Sequence, residues 1–285
     1  MNLEILHGEV SLKDLFENKI ENKLVKKADI KDLIKFIIRG GWPKSLELNE
    51  EEMLFLTQSY IDDVLKADIS KIDGVKRDEN KMRLILRSLA RNESTIVSTS
   101  TIIEDVNEQK DEASRITVLD YLDVLEKLYL IENQNAFSTN LRSSSRVGKS
   151  VKRHFTDVSL VCGILDLNTE KLLNDVNFLG FLFESLCERD LKIYIESYGG
   201  NLYHFRDNTT GLEIDSIVEM PDGKYGAIEI KLGTDDIENA AKNLLKFYDM
   251  VEKKPEFMCI ISGLHEAVIK RDDGIYVLPI TVLKN

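Results

Sequence analysis

The sequence has 285 residues, of which 43% are hydrophobic and 31% charged, a composition typical of a folded protein with room for about two domains. Its net charge of -12 opposes non-specific binding to a polyanion. Any contact with nucleic acid therefore has to depend on a local basic patch.

The N-terminus and the cysteines narrow the class of protein further. The first ten residues lack a signal-peptide pattern, and no apolar run approaches the ~18 residues of a membrane span, which predicts a cytoplasmic protein without membrane contact. Cys162, Cys187 and Cys259 lie far apart in apolar sequence. We expect buried thiols rather than a disulfide or a zinc site.

The first 75 residues are predicted to be helical. Apolar residues between 30 and 38 share one helical face, with Asp29 as N-cap and Gly40, Gly41 and Pro43 as the stop. A second helix is predicted to begin after Asn49, where three successive glutamates lie at the positive end of the helix dipole. One hypothesis is that the wide apolar faces of these helices support oligomerisation.

Residues 78 to 135 have the spacing of a winged helix-turn-helix, with three short helices followed by a strand. The third helix has an apolar stripe, and its exposed face offers Asp120, Asp123, Glu126 and Lys127. Such acidity is unfavourable for a helix that reads a DNA groove. A DNA reader and a structural or protein-binding module both remain open.

A basic stretch follows at residues 142 to 153, with five cations and no acid. The candidate DNA-binding residues are Arg142, Arg146, Lys149, Lys152 and Arg153. A solvated basic loop explains the same stretch equally well. The GKS sequence at 148–150 resembles the end of a phosphate loop, but Ser143 stands where a glycine is required, so no nucleotide-binding site is predicted.

The rest of the chain alternates strand and helix patterns, which predicts an α/β sandwich. The predicted helices are 176–191 and 234–251, and the predicted strands are 154–161, 193–197, 201–207, 212–220, 225–233, 256–262 and 275–280.

Two of these strands flank the sequence Pro221-Asp222-Gly223, which is typical of a type I turn with glycine in the left-handed position. A three-residue loop of this kind pairs Met220 with Lys224. Its register then sets the partner of every residue along the hairpin.

Counting back along the hairpin places Asp215 opposite Glu229 and Glu213 opposite Lys231, all on one face. The other face is expected to be apolar and to consist of Ile214, Val218, Ile228, Ile230 and Leu232.

Two directly opposed carboxylates repel each other unless a cation lies between them. Asp215 and Glu229 are therefore candidate ligands of Mg²⁺ or Mn²⁺, in a site suited to phosphodiester hydrolysis. Lys231 would help to orient or deprotonate the attacking water and to stabilise charge on phosphate. Glu184 is the candidate third ligand; alternatively, it lies with Glu188 on the solvent-exposed face of an amphipathic helix.

Several stretches in combination resemble a known protein group. FIIRGGWPKSL, LRSLARN, TVLDYLDVLEKLYLIE, HFTDVSLV, FLFESL, GLEIDSIVEM and AIEIKLG are similar to the C-terminal part of prokaryotic AAA-type ATPases that end in a PD-(D/E)xK, restriction-endonuclease-like domain of unknown function. The resemblance implies a winged helix followed by that nuclease-like fold. It also implies that Glu184, Asp215, Glu229 and Lys231 occupy the motif positions.

The chain begins where the ATPase module of that group would end, so no autonomous ATPase activity is expected and an ATPase module in trans is a predicted partner. The predicted fold class is α+β or α/β. The predicted domains are a helical region (1–77), a winged helix-turn-helix (78–150) and a nuclease-like domain with a central mixed sheet (151–285). The first functional hypothesis is a Mg²⁺-dependent nuclease acting on DNA. The alternative is a non-catalytic DNA- or protein-binding module controlled by an ATPase partner.

Overall fold

The computed structural model describes residues 9–109, 113–138 and 151–284. These residues fold as two units. The sheet unit contains residues 9–33, 134–138 and 186–284, and the helical unit contains residues 34–109, 113–133 and 151–185.

The helices, in chain order, are Leu12–Phe16 (α1), Ile30–Arg39 (α2), Glu50–Asp63 (α3), Ile69–Asp73 (α4), Glu79–Arg91 (α5), Thr99–Glu108 (α6), Arg115–Lys127 (α7), Val158–Leu165 (α8), Thr169–Asn174 (α9), Val176–Ser197 (α10) and Ile237–Met250 (α11). The strands are Val10–Ser11 (β1), Lys23–Leu24 (β2), Ile131–Gln134 (β3), Lys152–Phe155 (β4), Asn201–Arg206 (β5), Glu213–Glu219 (β6), Tyr225–Lys231 (β7), Phe257–Ser262 (β8), Ala267–Lys270 (β9), Tyr276–Pro279 (β10) and Leu283–Lys284 (β11). Short 3₁₀ turns occupy Pro43–Glu47 and Ile280–Val282, and a π-helical turn occupies Val64–Asp68.

The sheet unit is built on a seven-stranded mixed sheet with the order β2-β9-β10-β8-β7-β6-β5. The β6–β7 hairpin is antiparallel, whereas β8 runs parallel to both β7 and β10. Helix α11 connects β7 to β8 and packs its buried Ala240, Leu244 and Phe247 into a core cluster with sheet residues such as Ala227 and Ile260. The predicted α/β class with a mixed central sheet is confirmed.

The two N-terminal helices that the sequence predicts are present as α2 and α3. Asp29 accepts a hydrogen bond from the Lys31 amide at 2.8 Å, and Asn49 forms a reciprocal capping box with Glu52. The expectation that residues 1–75 are wholly helical is wrong, because β1 and β2 lie in this region. These strands are only two residues long, too short to leave a period-two pattern in the sequence.

In the helical unit, α5, α6 and α7 follow one another in the predicted order and lead into β3, which pairs with β4. The predicted apolar stripe of α7 is buried, with Val118 and Leu125 fully so. Two large apolar side chains, Ile116 near the start of this helix and Tyr129 just after its end, are instead each 81% exposed. Helices from both sides of residue 77 share this unit, and the division at 77 and 150 stays a prediction.

Parts of two predicted strands, 154–161 and 193–197, are helical instead. Residues 158–161 belong to α8, because the Asp157 carboxylate accepts from the Ser159 amide at 2.9 Å and caps a helix there. Residues 193–197 continue α10, because Leu191 and Ile195, four residues apart, are both fully buried on one helical face. Packing therefore overrides the strand preference of the β-branched residues.

The double glycine after α2 forms a tight junction with the start of α8. The Gly41 amide donates to Asp157 Oδ2 at 2.7 Å, and the Trp42 indole donates to Ser159 Oγ at 2.8 Å. Gly40 has a φ of +63°, and a β-carbon there would lie 2.2 Å from Asp157 Oδ1. Only glycine fits this position without strain.

All three cysteines are buried free thiols, as expected. Burial raises the pKa of Cys162 and of Cys259 well above its ordinary value, so both stay protonated and unreactive. Among the described residues, none of the helices combines the length and the apolar character that crossing a membrane requires.

Candidate functional site

The hairpin between β6 and β7 has the predicted turn. The Gly223 amide donates to the Met220 carbonyl at 2.9 Å, and the Met220 amide donates to the Lys224 carbonyl at 2.8 Å. Gly223 has a φ of +79°, as the left-handed position requires. The strands then pair from Glu219–Tyr225 to Ser216–Ile228, which confirms the predicted register over these pairs; the ladder ends just before the predicted pair Asp215–Glu229.

Asp215 lies at a β-bulge immediately beyond the last of these pairs. The register between β5 and β6 shifts by one residue between Tyr203 and Phe205, so Asp215 and Ser216 together oppose a single residue of β5. Bulges bend a strand and re-aim its side chains. Here the Asp215 carboxylate replaces a ladder partner and accepts from the Ile230 amide at 2.7 Å.

Lys231 joins the two predicted acids. Its Nζ lies 3.1 Å from Asp215 Oδ2 and 2.7 Å from Glu229 Oε2. We call Asp215, Glu229 and Lys231 the carboxylate–lysine cluster. The Glu229 side chain is only 2% exposed, whereas those of Asp215 and Lys231 are 16% and 25% exposed, so solvent reaches the cluster from the aspartate and lysine side.

The charges of the cluster are strongly coupled. Burial raises the pKa of Glu229 to about 8, and the charge of Asp215 acts in the same direction, while Lys231 opposes both. Burial alone would lower the pKa of Lys231, but the charges of Asp215 and Glu229 hold it above its ordinary value. One ammonium thus faces two acids, and Glu229 is the acid whose charged form is disfavoured.

The pKa of Glu229 predicts a pH dependence of stability. In the unfolded chain the carboxyl returns to its ordinary pKa of 4.5, so between pH 4.5 and about 8 the folded protein binds more protons than the unfolded chain. The contribution of Glu229 is therefore most favourable at low pH and is lost as pH rises to about 8. Measured by urea unfolding, the free energy of unfolding should fall less steeply between pH 5 and 8 for Glu229→Gln than for wild type. Equal slopes would contradict the assignment.

Glu213 does not share the cluster. It is exposed, and its carboxylate lies 3.2 Å from Arg206 of β5. The β6–β7 ladder ends at Ser216–Ile228, so Glu213 is not paired with Lys231 as expected. The same bulge turns Ile214 into the core cluster beneath α11, instead of onto the opposite apolar face. Strict period-two alternation fails at a bulge, which explains both differences.

The two glutamates of α10 have different partners. Glu184 belongs to the helical unit, where Lys152 is its ion-pair partner. Glu188 belongs to the sheet unit, is 2% exposed, and accepts from Ser216 Oγ at 3.2 Å and from Gln134 Nε2 at 3.3 Å. The alternative that both lie on a solvent-exposed helix face is not what the structure shows.

Sequence reasoning missed Glu188, Gln134 and Ser216 as a buried polar network. The sequence does contain one indication that Glu188 is buried. It lies three residues before Leu191 and seven before Ile195, on the same helical stripe as these two buried apolar residues. Ser216 is the second residue of the bulge, so Glu188 anchors the backbone beside Asp215.

The basic stretch is only partly described. Arg142, Arg146 and Lys149 lie outside the described residues. Lys152 is 6% exposed and paired with Glu184, and Arg153 donates to the Val97 carbonyl at 3.1 Å. These last two cations have partners inside the helical unit, which differs from the expectation that they face nucleic acid.

The donor set bears on which metal could bind. Across residues 9–109, 113–138 and 151–284, no group of three or more His, Cys, Asp or Glu side chains is arranged to hold a metal ion. Asp215 and Glu229 offer two hard carboxylates around one cation, the Lys231 ammonium. Mg²⁺ is commonly bound by one or two carboxylates plus water and phosphate oxygens, so this pair fits such an ion.

Two family models match the chain. Residues 30–171 match a domain of unknown function (DUF8612), and residues 179–283 match a second domain of unknown function (DUF4143). The second domain occurs in the C-terminal regions of ATPase-associated proteins, in agreement with that part of the predicted resemblance. No curated protein matches the sequence.

Proposed function

We propose that the carboxylate–lysine cluster is the centre of a divalent-cation-dependent phosphodiesterase that acts on DNA, within a PD-(D/E)xK-like fold. The observation that carries this proposal is the meeting of Asp215, Glu229 and Lys231 at one point on two adjacent strands. The hairpin supports it, because the three-residue turn and the pairs from Glu219–Tyr225 to Ser216–Ile228 bring the neighbouring residues Asp215 and Glu229 to the same level of the two strands.

Asp215 and Glu229 would hold the cation, which when bound supplies charge neutralisation and an acidified water. Residues of this chain would contact the phosphate and hold the two carboxylates in position. Lys231 keeps its proton and, as the most exposed member, can donate to a phosphate oxygen. The Ile230 amide holds the Asp215 carboxylate in place, and Glu188 supports the bulge from Ser216. A pre-positioned set of this kind is what phosphoryl chemistry requires.

A second candidate, a non-catalytic DNA- or protein-binding module regulated by an ATPase partner, is favoured by different observations. Lys231 already forms ion pairs with both acids, and Glu184, the expected third ligand, is paired with Lys152. The three helices α5–α7, which we infer to form the winged helix, present acidic and apolar side chains on α7, with Ile116 exposed beside Asp120 and Asp123. Such a surface suits a protein partner better than a DNA groove.

Cleavage assays separate the two candidates. The full chain is incubated with linear, branched and single-stranded DNA in Mg²⁺ or Mn²⁺, as wild type, as Asp215→Asn and as Glu213→Gln. We expect Asp215→Asn to lower cleavage by about 100-fold, in the range for loss of one electrostatic contact in a catalytic site. Glu213→Gln is the matched control, because Glu213 lies two residues away on the same strand but is exposed and paired with Arg206. Its activity should stay near that of wild type.

Absence of cleavage by wild type on all three substrates would refute the phosphodiesterase. Equal cleavage by wild type and Asp215→Asn would assign the activity to a contaminant or another site. Calorimetric titration with MnCl₂ then tests directly whether the two acids bind the ion. If wild type and Asp215→Asn bind Mn²⁺ equally well, the result favours the non-catalytic module.

A further inference from the structure

The outer side of α3 carries a groove of about 730 Å³ that lies wholly within the helical unit. Its lining combines two kinds of residue. Leu48, Leu54 and Phe55 are the principal apolar residues, and Glu51, Glu52 and Asp166 are the acids. We infer that this groove docks a basic, amphipathic helical segment of a partner protein.

Phe55 provides the apolar anchor. Its side chain is 70% exposed, although it lies in the middle of a well-formed helix. The opposite side of α3 already supplies the core of the unit, since Thr57 approaches α8 so closely that a β-carbon on Gly163 would lie 3.1 Å from the Thr57 β-carbon. A helix with apolar residues on both sides has more apolar surface than its own fold covers. Exposed aromatic surface of this kind typically marks an interaction site.

The shape of the groove favours a helix as the occupant. Its lining on α3 runs from Glu51 to Ser59, and a stretch of helix of that length spans about 12 Å, or two and a half turns. Glu52, Phe55 and Ser59 recur at the three- and four-residue spacing of one helical stripe, and Leu48 precedes the helix. Grooves of this kind bind amphipathic helices whose apolar residues recur at the same spacing.

The charges select a basic partner. Within the described residues Glu51 has no ion-pair partner, and the Asp166 side chain stays 71% exposed while it contacts Lys171. Glu50, Glu51 and Glu52 also begin α3, so carboxylates are concentrated beside Phe55. Nucleic acid and acidic segments would be repelled, whereas Lys or Arg flanking an apolar anchor would meet complementary charge.

This inference does not depend on the proposed phosphodiesterase, because every residue of the groove belongs to the helical unit and the carboxylate–lysine cluster belongs to the sheet unit. Loss of cleavage and loss of docking are therefore separate results.

The test uses the full chain and two fluorescein-labelled peptides of about 14 residues, close to the shortest length at which an isolated helix has measurable stability. One peptide carries leucine at helical i, i+3, i+4 and i+7 positions with lysine elsewhere, and the other replaces each lysine by glutamate. Fluorescence anisotropy should show that the lysine peptide binds at least about ten-fold more tightly than the glutamate peptide.

Phe55→Ser should weaken binding of the lysine peptide by at least about ten-fold, as expected for a central aromatic anchor. Phe181→Ser is the matched control, because Phe181 is also an exposed aromatic residue on a helix and lies in the part of α10 that belongs to the helical unit. Circular dichroism checks that both variants fold, which their exposure predicts.

Equal binding of the two peptides, or equal binding by wild type and Phe55→Ser, would overturn the inference. Sedimentation velocity tests whether a second copy of this chain occupies the groove instead. A wild-type dimer that Phe55→Ser dissociates would mean that the groove is covered by a second copy of this chain, and would also overturn the proposed partner.

Discussion

Replacing Lys231 by alanine should destabilise the protein by about 3 kcal/mol at pH 7, near the lower limit for breaking a buried ion pair because a quarter of the side chain is exposed. The variant leaves Asp215 and the nearly inaccessible Glu229 together without the ammonium that both contact. Urea unfolding followed by circular dichroism measures the loss. Lys242→Ala, on the exposed side of α11, is the matched control and should change stability by less than about 0.5 kcal/mol.

The same variant tests the proposed cation site. If Asp215 and Glu229 can share a divalent ion, MnCl₂ should raise the thermal midpoint of Lys231→Ala much more than that of wild type, because the ion replaces the missing positive charge. The double variant Lys231→Ala/Asp215→Asn should lose this response. A Lys231→Ala protein that MnCl₂ leaves unchanged would show that the two carboxylates do not form a cation site.

Replacing Gly40 by alanine should destabilise the helical unit by about 3 kcal/mol, the sum of a left-handed backbone penalty and a steric clash. The added β-carbon would lie 2.2 Å from Asp157 Oδ1 and 2.5 Å from Ser159 Oγ. Both side chains are committed to the capping and indole hydrogen bonds at the start of α8, so neither can withdraw without losing a contact.

Gly74 offers the control that separates the two costs. Its φ of +73° resembles that of Gly40, but nothing lies within 4 Å of a β-carbon there. Gly74→Ala should therefore cost only about 1 kcal/mol, the backbone penalty alone. The fluorescence of Trp42, the single tryptophan, reports directly on the junction. Equal costs for the two variants would mean that the junction relaxes around the added methyl group.

The hairpin shows how much of the site was predictable. Pro221, Asp222 and Gly223 specify a turn of fixed length, and a fixed turn determines the register of every pair up to Ser216. The sequence therefore predicts that Asp215 and Glu229 lie close together. The sequence predicts Lys231 beside a metal ion, whereas the structure places it between the two acids. The lysine ammonium is a positive charge that the chain itself provides to the two carboxylates.

The remaining errors have a common origin in long-range packing. The bulge at Asp215 depends on the pairing with β5, and the sequence of β6 itself does not predict it. Glu184 and Glu188 lie one turn apart in the same helix, yet their partners come from β4 and β6 respectively. Local periodicity predicts which face of a helix is apolar, but it does not reveal which distant segment will cover that face.

The pairing of Val10 with Leu283, and of Lys23 with Val268, sets an order of events during synthesis. The helical unit has all of its residues once position 185 has left the ribosome, so it can fold while translation continues. Strands β1 and β2 of the sheet unit must wait for their partners β11 and β9, which are synthesised much later, and such distant contacts form slowly. Until those partners and β8 are synthesised, β1, β2 and the outer edge of β7 are unpaired, and unpaired strands of this kind are prone to aggregation.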